Sequence, residues 1–317
     1  MRNESIFTIL VESILFFTGC IPDSPKSGST GEIVENQTSQ SDANKYSTPE
    51  ISTLKTSNTY PPKEGWVLDR IYELKNLDLA GMATLNDSIF LVSDMTKNMV
   101  VQYYTGTGEQ KVVFNQGKVE YLNLQVARII MPITDMDSIF VYRGGGPLYK
   151  FHLEEKLNHP TYFDGSDIWN FTIVDQGNHR LITKRENIEG TLGKQGSGPL
   201  EFESPSTLVY MGNSIYVSDT GNKRIQAIDL EGNYERSIGE GIVQTPTSMT
   251  TDEDVLFVLD RSLHKIFLFS IQGNLLYALE SELNDPRDLY FIEGELYVSD
   301  SNGQVKVFVN NHYNNAR

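Results

Sequence analysis

Residues 212–228 read GNSIYVSDTGNKRIQAI. This is a hairpin written in sequence. Residues 214–218 form a short run rich in β-branched and aromatic side chains. Asp219, Thr220, Gly221 and Asn222 are turn formers, and residues 224–228 resume an alternating run. The pattern then returns. LFVLD at 256–260 is followed by KIFLF at 265–269, and LYVSD at 296–300 by VKVF at 305–308. Upstream lie LVSD at 91–94 and TIVD at 172–175.

The aspartates that end these runs are spaced 219 − 175 = 44, 260 − 219 = 41 and 300 − 260 = 40. The gap 175 − 94 = 81 spans two periods, so one unit between them has lost its marker. DSIFV at 137–141 repeats DSIFL at 87–91, which puts Gly144 at the place of Asp94. That gives six units of about forty residues, each alternating at period two. Such a period with several short strands per unit predicts an all-β fold: a six-bladed propeller of four-stranded antiparallel blades. In the fourth unit the expected strands are 207–211, 214–218, 224–229 and 234–238. The last unit stops after its third strand, and residues 66–74 form a strand-like run without partners of its own. We expect this N-terminal strand to complete the last blade and close the ring, which removes a free edge.

Residues 212–239 resemble the NHL-repeat class of six-bladed propellers: an IYVSD strand, the TGNKRI turn and strand, then EGN at 231–233 and IG at 238–239. GNHRL at 177–181 is a second copy of the turn. GSGPLEF at 196–202, with Pro205, is similar to that class's inter-blade linker and to the linker of six-bladed propeller lipoproteins of Bacteroidetes-type bacteria. QGKVEY at 116–121 is a weaker copy. The resemblance covers roughly residues 64–310. It implies the fold and leaves the activity open, because one scaffold hosts many functions.

The 317 residues carry a formal net charge of −16. That balance repels phosphate backbones and argues against a nucleic-acid partner. Cys20 is the one cysteine, so no internal disulfide is possible. It ends a mostly apolar stretch, 6–19, in the sequence FTGC at 17–20. A short apolar run ending in small residues reads as a secretory signal rather than a spanning helix. The FTGC ending resembles a bacterial lipobox, which implies lipidation of Cys20. We therefore expect a signal peptide over 1–19, a flexible polar tether over 20–63 and a propeller over 64–313. The tether is rich in Ser, Thr, Asn, Pro and Gly, too polar to bury enough surface to offset ordering entropy. The expected location is the bacterial cell envelope, periplasmic or surface-exposed, with a membrane contact through the lipid.

Asp94, Asp175, Asp219, Asp260 and Asp300 recur once per blade and read as structural turn residues whose carboxylates accept backbone N–H groups. His179 and His264 lie in equivalent turns two blades apart, too far to share an ion. No metal, cofactor or catalytic residue is assigned from the sequence. Blade two breaks the pattern: Tyr142 and Arg143 precede Gly144, and only 160 − 144 = 16 residues remain before Pro160. Its outer strands are expected to be short, or one missing. Broken local rules mark functional or strained places. On the face where linkers meet the channel mouth we expect a site built from Arg128, Arg143, Tyr162, Arg287 and Asp288. Arginines on an acidic protein suggest an anionic group in the ligand. The functional expectation is a monomeric, lipid-anchored binding module for an envelope protein, peptide or glycan, without a cofactor. The alternative is a propeller enzyme, a metal-dependent lactonase, hydrolase or lyase, with its site at the channel mouth.

Overall fold

A computed structural model describes residues 65–310, apart from 126–127, 144–147, 166–169, 186–187 and 281–282. The signal stretch, Cys20, the tether and Gly144 lie outside the described residues. Six four-stranded antiparallel sheets occupy residues 79–114, 123–150, 160–192, 208–238, 246–279 and 286–310, the last taking its fourth strand from Trp66–Glu73. The innermost strands touch one another in chain order, and the sixth touches the first, so the sheets close into a ring. The fold is a six-bladed β-propeller.

The alternation of each strand explains the packing. Side chains on one face of a strand meet one neighbouring blade and those on the other face meet the next. Buried apolar clusters accordingly lie between consecutive blades. Phe163, Phe171 and Ile182 pack with Ile130 and Ile139 of blade two, for example, and Val209 and Tyr216 with Leu256 and Phe267 of blade five. Closure is antiparallel, Trp66 opposite Asn310 and Glu73 opposite Gln304. Trp66 seals it by packing edge-on against Phe257 at 5.5 Å and Phe291 at 6.5 Å. Arg70 ties the closing strand to both neighbours, with Nη2 at 2.6 Å from Glu295 and 2.8 Å from Asp87.

In this meander the inner strand starts, and the second strand ends, on the face that carries the linkers. The marker aspartates sit there. Asp219 is fully buried and accepts the Glu203 N–H at 2.7 Å from the linker and the Arg224 Nε at 2.9 Å from the third strand. Asp175 takes the Asn158 N–H at 2.7 Å and Arg180 Nε at 2.8 Å. Asp260 takes Thr245 and Leu263 N–H groups, and Asp300 those of Asp285 and Asn302. Asp94 takes the Lys97 N–H in its own turn at 2.9 Å. In four blades, then, the carboxylate pins the incoming linker.

Blade two corrects the repeat alignment. Its second strand is Arg128–Ile133 and its third Ser138–Tyr142, so Ile133, and not Gly144, stands at the marker position. The DSIF string misleads because it fits two places. Asp87 precedes a second strand, whereas Asp137, at φ 47°, caps the turn before a third strand. With Ile133 in register the spacing is regular, 133 − 94 = 39 and 175 − 133 = 42. Ile133 is buried in the cluster between blades one and two, and Asp135 pins the linker instead, accepting the Lys118 N–H at 2.9 Å. All four strands of the blade are present, the fourth being the short Leu148–Lys150.

Candidate functional site

The ladders between first and second strands place residues by depth below the linker face. Two positions below the marker stands an apolar residue in every blade: Met82, Leu122, Phe163, Leu208, Met249 and Leu289. All six are buried in the clusters between blades. Their neighbours on either side point the other way and supply the groups around the axis. The upper set is Gly81, Tyr121, Tyr162, Thr207, Ser248 and Asp288. The lower set is Asn123, Asp164, Thr250 and Tyr290, while Ala83 and Val209 at the same depth are buried in the clusters between blades.

These two sets meet across the axis. The Tyr121 hydroxyl, entering with blade two, donates to the Thr247 carbonyl of blade five at 2.8 Å. Tyr121 and Tyr162 pack edge to face at 5.7 Å. Tyr290 of blade six feels the charges of Asp288 and of Asp164 in the opposite blade. Blades one, four and five offer only small or aliphatic groups at these depths. The axial lining, called the recess below, therefore has an aromatic, acidic side and a small-residue side.

Its electrostatics follow from burial. Burial pushes Asp164 up to about 6, against the pull of the Gly165 N–H and Asn123 amide. It pushes Asp288 up to about 7, opposed by hydrogen bonds from Ser248, Met82 N–H and Leu289 N–H. Tyr290 rises to about 12, and Tyr121 and Tyr162 are held well above the ordinary phenol value, burial being the leading cause each time. The two acids differ in their bonding. Asp288 is a latch across three blades, taking Ser248 Oγ at 2.6 Å and the Met82 N–H at 2.8 Å. Asp164 takes the Gly165 N–H at 2.7 Å and Asn123 Nδ2 at 3.4 Å, both on Oδ1. Asn123 Oδ1 and Thr247 Oγ1 are buried with no hydrogen-bond partner among the described residues.

Of the residues expected from sequence, Tyr162 and Asp288 line this recess. Arg287 is at its rim, bonded to Asp285 at 2.7 Å, with Nε buried and unpartnered. Arg128 and Arg143 are elsewhere. Arg128 begins the second strand of blade two and Arg143 follows its third, so both sit at the blade end opposite the linkers. Ile129 pairs with Tyr142, which makes the two arginines neighbours there. The slipped repeat alignment had brought Arg143 to the wrong face. His179 and His264 hold the left-handed turn position, φ 54° and 52°, in separate blades. Among the described residues no group of three or more His, Cys, Asp or Glu side chains is placed to hold a metal.

Tyr121, Asn123, Asp164, Thr247 and Tyr290 were not anticipated. The signal was available: an apolar residue recurs at spacings 122 − 82 = 40, 163 − 122 = 41, 208 − 163 = 45, 249 − 208 = 41 and 289 − 249 = 40. A cleft of about 680 Å³ on blades two and three is lined by Glu155, Lys156, Arg180 and Lys194. Its charges are largely internally paired, Arg180 with Glu155 and Asp175, and Lys194 with Glu201.

No protein-family model matches the chain. NHL repeat-containing protein 2 of Gallus gallus is 28% identical over 137 residues, which cover 33% of this chain and 19% of that protein. The chain thus spans about a fifth of the length of that relative. Virginiamycin B lyase from Staphylococcus aureus superposes with a TM-score of 0.58 at 12% identity, over 77% of this chain and 99% of that one. A protein of unknown function from Bacteroides thetaiotaomicron gives 0.57 at 14%, over 76% and 72%. At these identities the likeness is one of fold. The chain is a six-bladed β-propeller, similar over 137 of its residues to an NHL repeat-containing protein.

Proposed function

We propose that this protein is an exported, lipid-anchored binding module of the bacterial cell envelope, and that its ligand occupies the axial recess on the linker face. The anchor rests on FTGC at 17–20 followed by a polar stretch to residue 63. The recess reading rests on one observation, the buried and unpartnered Asn123 Oδ1 beside Asp164, within a wall of three tyrosines. Protein interiors satisfy such groups with few exceptions, because an orphaned acceptor costs about 1–3 kcal/mol. A group kept open at that cost is suited to a ligand rather than to the fold.

Each half has its own test. Cys20→Ala should move the protein from the membrane to the soluble fraction; unchanged fractionation overturns the anchor. Asn123→Leu should leave thermal stability unchanged or raised, since it removes an orphaned acceptor. A fall in Tm of several degrees assigns Asn123 to the fold and removes the recess reading.

A further inference from the structure

We infer that the recess recognises a primary ammonium group, carried by a small organic cation or by the end of a larger ligand. This rests on the recess being a binding site and adds the chemistry of what fills it.

The argument starts from what the recess lacks. Among the described residues Asp164 Oδ2 takes no hydrogen bond, since the bonds from Gly165 and Asn123 both fall on Oδ1. Asn123 Oδ1, on the adjacent side chain, is likewise without a donor. Two unpaired acceptors therefore sit on adjacent side chains, one of them a carboxylate, and among the described residues no Lys or Arg bonds either. An ionised carboxylate surrounded by protein is costly unless a cation meets it. The rim arginines do not serve, because Arg287 bonds Asp285 at 2.7 Å and Arg261 lies 3.5 Å from the same carboxylate.

The other wall groups point the same way. Tyr121, Tyr162 and Tyr290 each offer a cation either a ring face of negative potential or a phenol oxygen. Among the described residues the hydroxyls of Tyr162 and Tyr290 take no hydrogen bond, and burial and nearby charge alone shift them. A primary ammonium carries three N–H donors, which match a carboxylate oxygen, an amide oxygen and a phenol. A quaternary ammonium would leave the two open acceptors unmet, and an anion would face Asp164 and Asp288 directly. The overall charge of −16 adds a long-range attraction for cations.

The test is ligand-observed NMR on the whole protein with n-butylammonium, butan-1-ol, butyrate and tetramethylammonium as probes. n-Butylammonium should bind more tightly than the other three. Asp164→Asn, with its melting temperature checked, should weaken it at least tenfold, and Tyr290→Leu should weaken it independently. Binding should also weaken as the pH falls from 7 to 5, as Asp164 takes up a proton. Among the described residues Asn123, Tyr162 and Tyr290 interact with that carboxylate, and Asp288, which acts on the same two tyrosines, also titrates in this range. Asp288→Asn should therefore keep the pH dependence and Asp164→Asn abolish it. Equal or better binding of butanol, butyrate or tetramethylammonium overturns the ammonium inference and leaves a binding recess of other specificity. Binding of none of the four overturns it as well, and the recess then stands or falls with Asn123→Leu.

Discussion

Trp66→Ala is the sharpest test of how the ring closes. Trp66 is 9% exposed and stands edge-on to Phe257 and Phe291, which stack on each other at 5.4 Å. Removing a buried indole costs about 3–5 kcal/mol, including the void it leaves. Each of its two edge contacts contributes about 0.5–1.5 kcal/mol beyond burial alone. A domain of this size loses about 2–4 °C of Tm per kcal/mol, so Tm should fall by about 6–20 °C. The assay is circular dichroism melting at a fixed scan rate. The control is its neighbour Val67, 49% exposed on the same strand, whose change to alanine should stay within about 0.5 kcal/mol. A Trp66→Ala shift no larger than that of Val67→Ala would refute closure by residues 66–73.

Other outcomes follow from the clamps and the axis. Asp219→Ala leaves Arg224 buried without its carboxylate and should cost about 3–5 kcal/mol in denaturant unfolding, with ligand affinity in the recess nearly unchanged. Ile133→Asp restores the letter of the other blades yet should destabilise by about 3 kcal/mol or more, because it puts a charge into an apolar cluster. A stabilised variant would show that Asp135 had not taken over the clamp. Asp288 titrates near 7 in the fold against 3.8 unfolded, so the stability it contributes is fully present below about pH 4 and lost as pH rises through 7. Unfolding of wild type minus Asp288→Asn, measured from pH 4 to 8, should show that decline; a difference that grows with pH would contradict it.

The architecture was legible because each blade writes the same short strand, marker and turn. The strands expected over 214–218, 224–229 and 234–238 lie within a residue of those observed, and the closing strand was visible as a run without partners. Blade two was misread because Asp137-Ser138-Ile139-Phe140 carries a turn acid before a β run, and that string suits either turn of a meander. Ile133 gave no warning, since an isoleucine at a strand end is ordinary. The recess was half legible. Tyr162 and Asp288 drew notice as isolated polar residues near linkers, whereas Asn123 and Asp164 matter only through a depth register that pairing supplies. Their partners lie in other blades, and a sequence read blade by blade does not reveal what crosses the axis.

The closing strand also sets an order of events. Trp66 pairs with Asn310, so 310 − 66 = 244 residues must be made between the first half of that bond and the second. At about 5–20 residues per second, the strand waits about 12–50 s with its ladder open. During that time each blade can form from its own hairpins, but the ring cannot close and blade six has an unpaired edge. The contact most distant in sequence is thus the last that synthesis makes available. A permuted chain with residues 66–73 joined after 310 would turn that final step into one more hairpin.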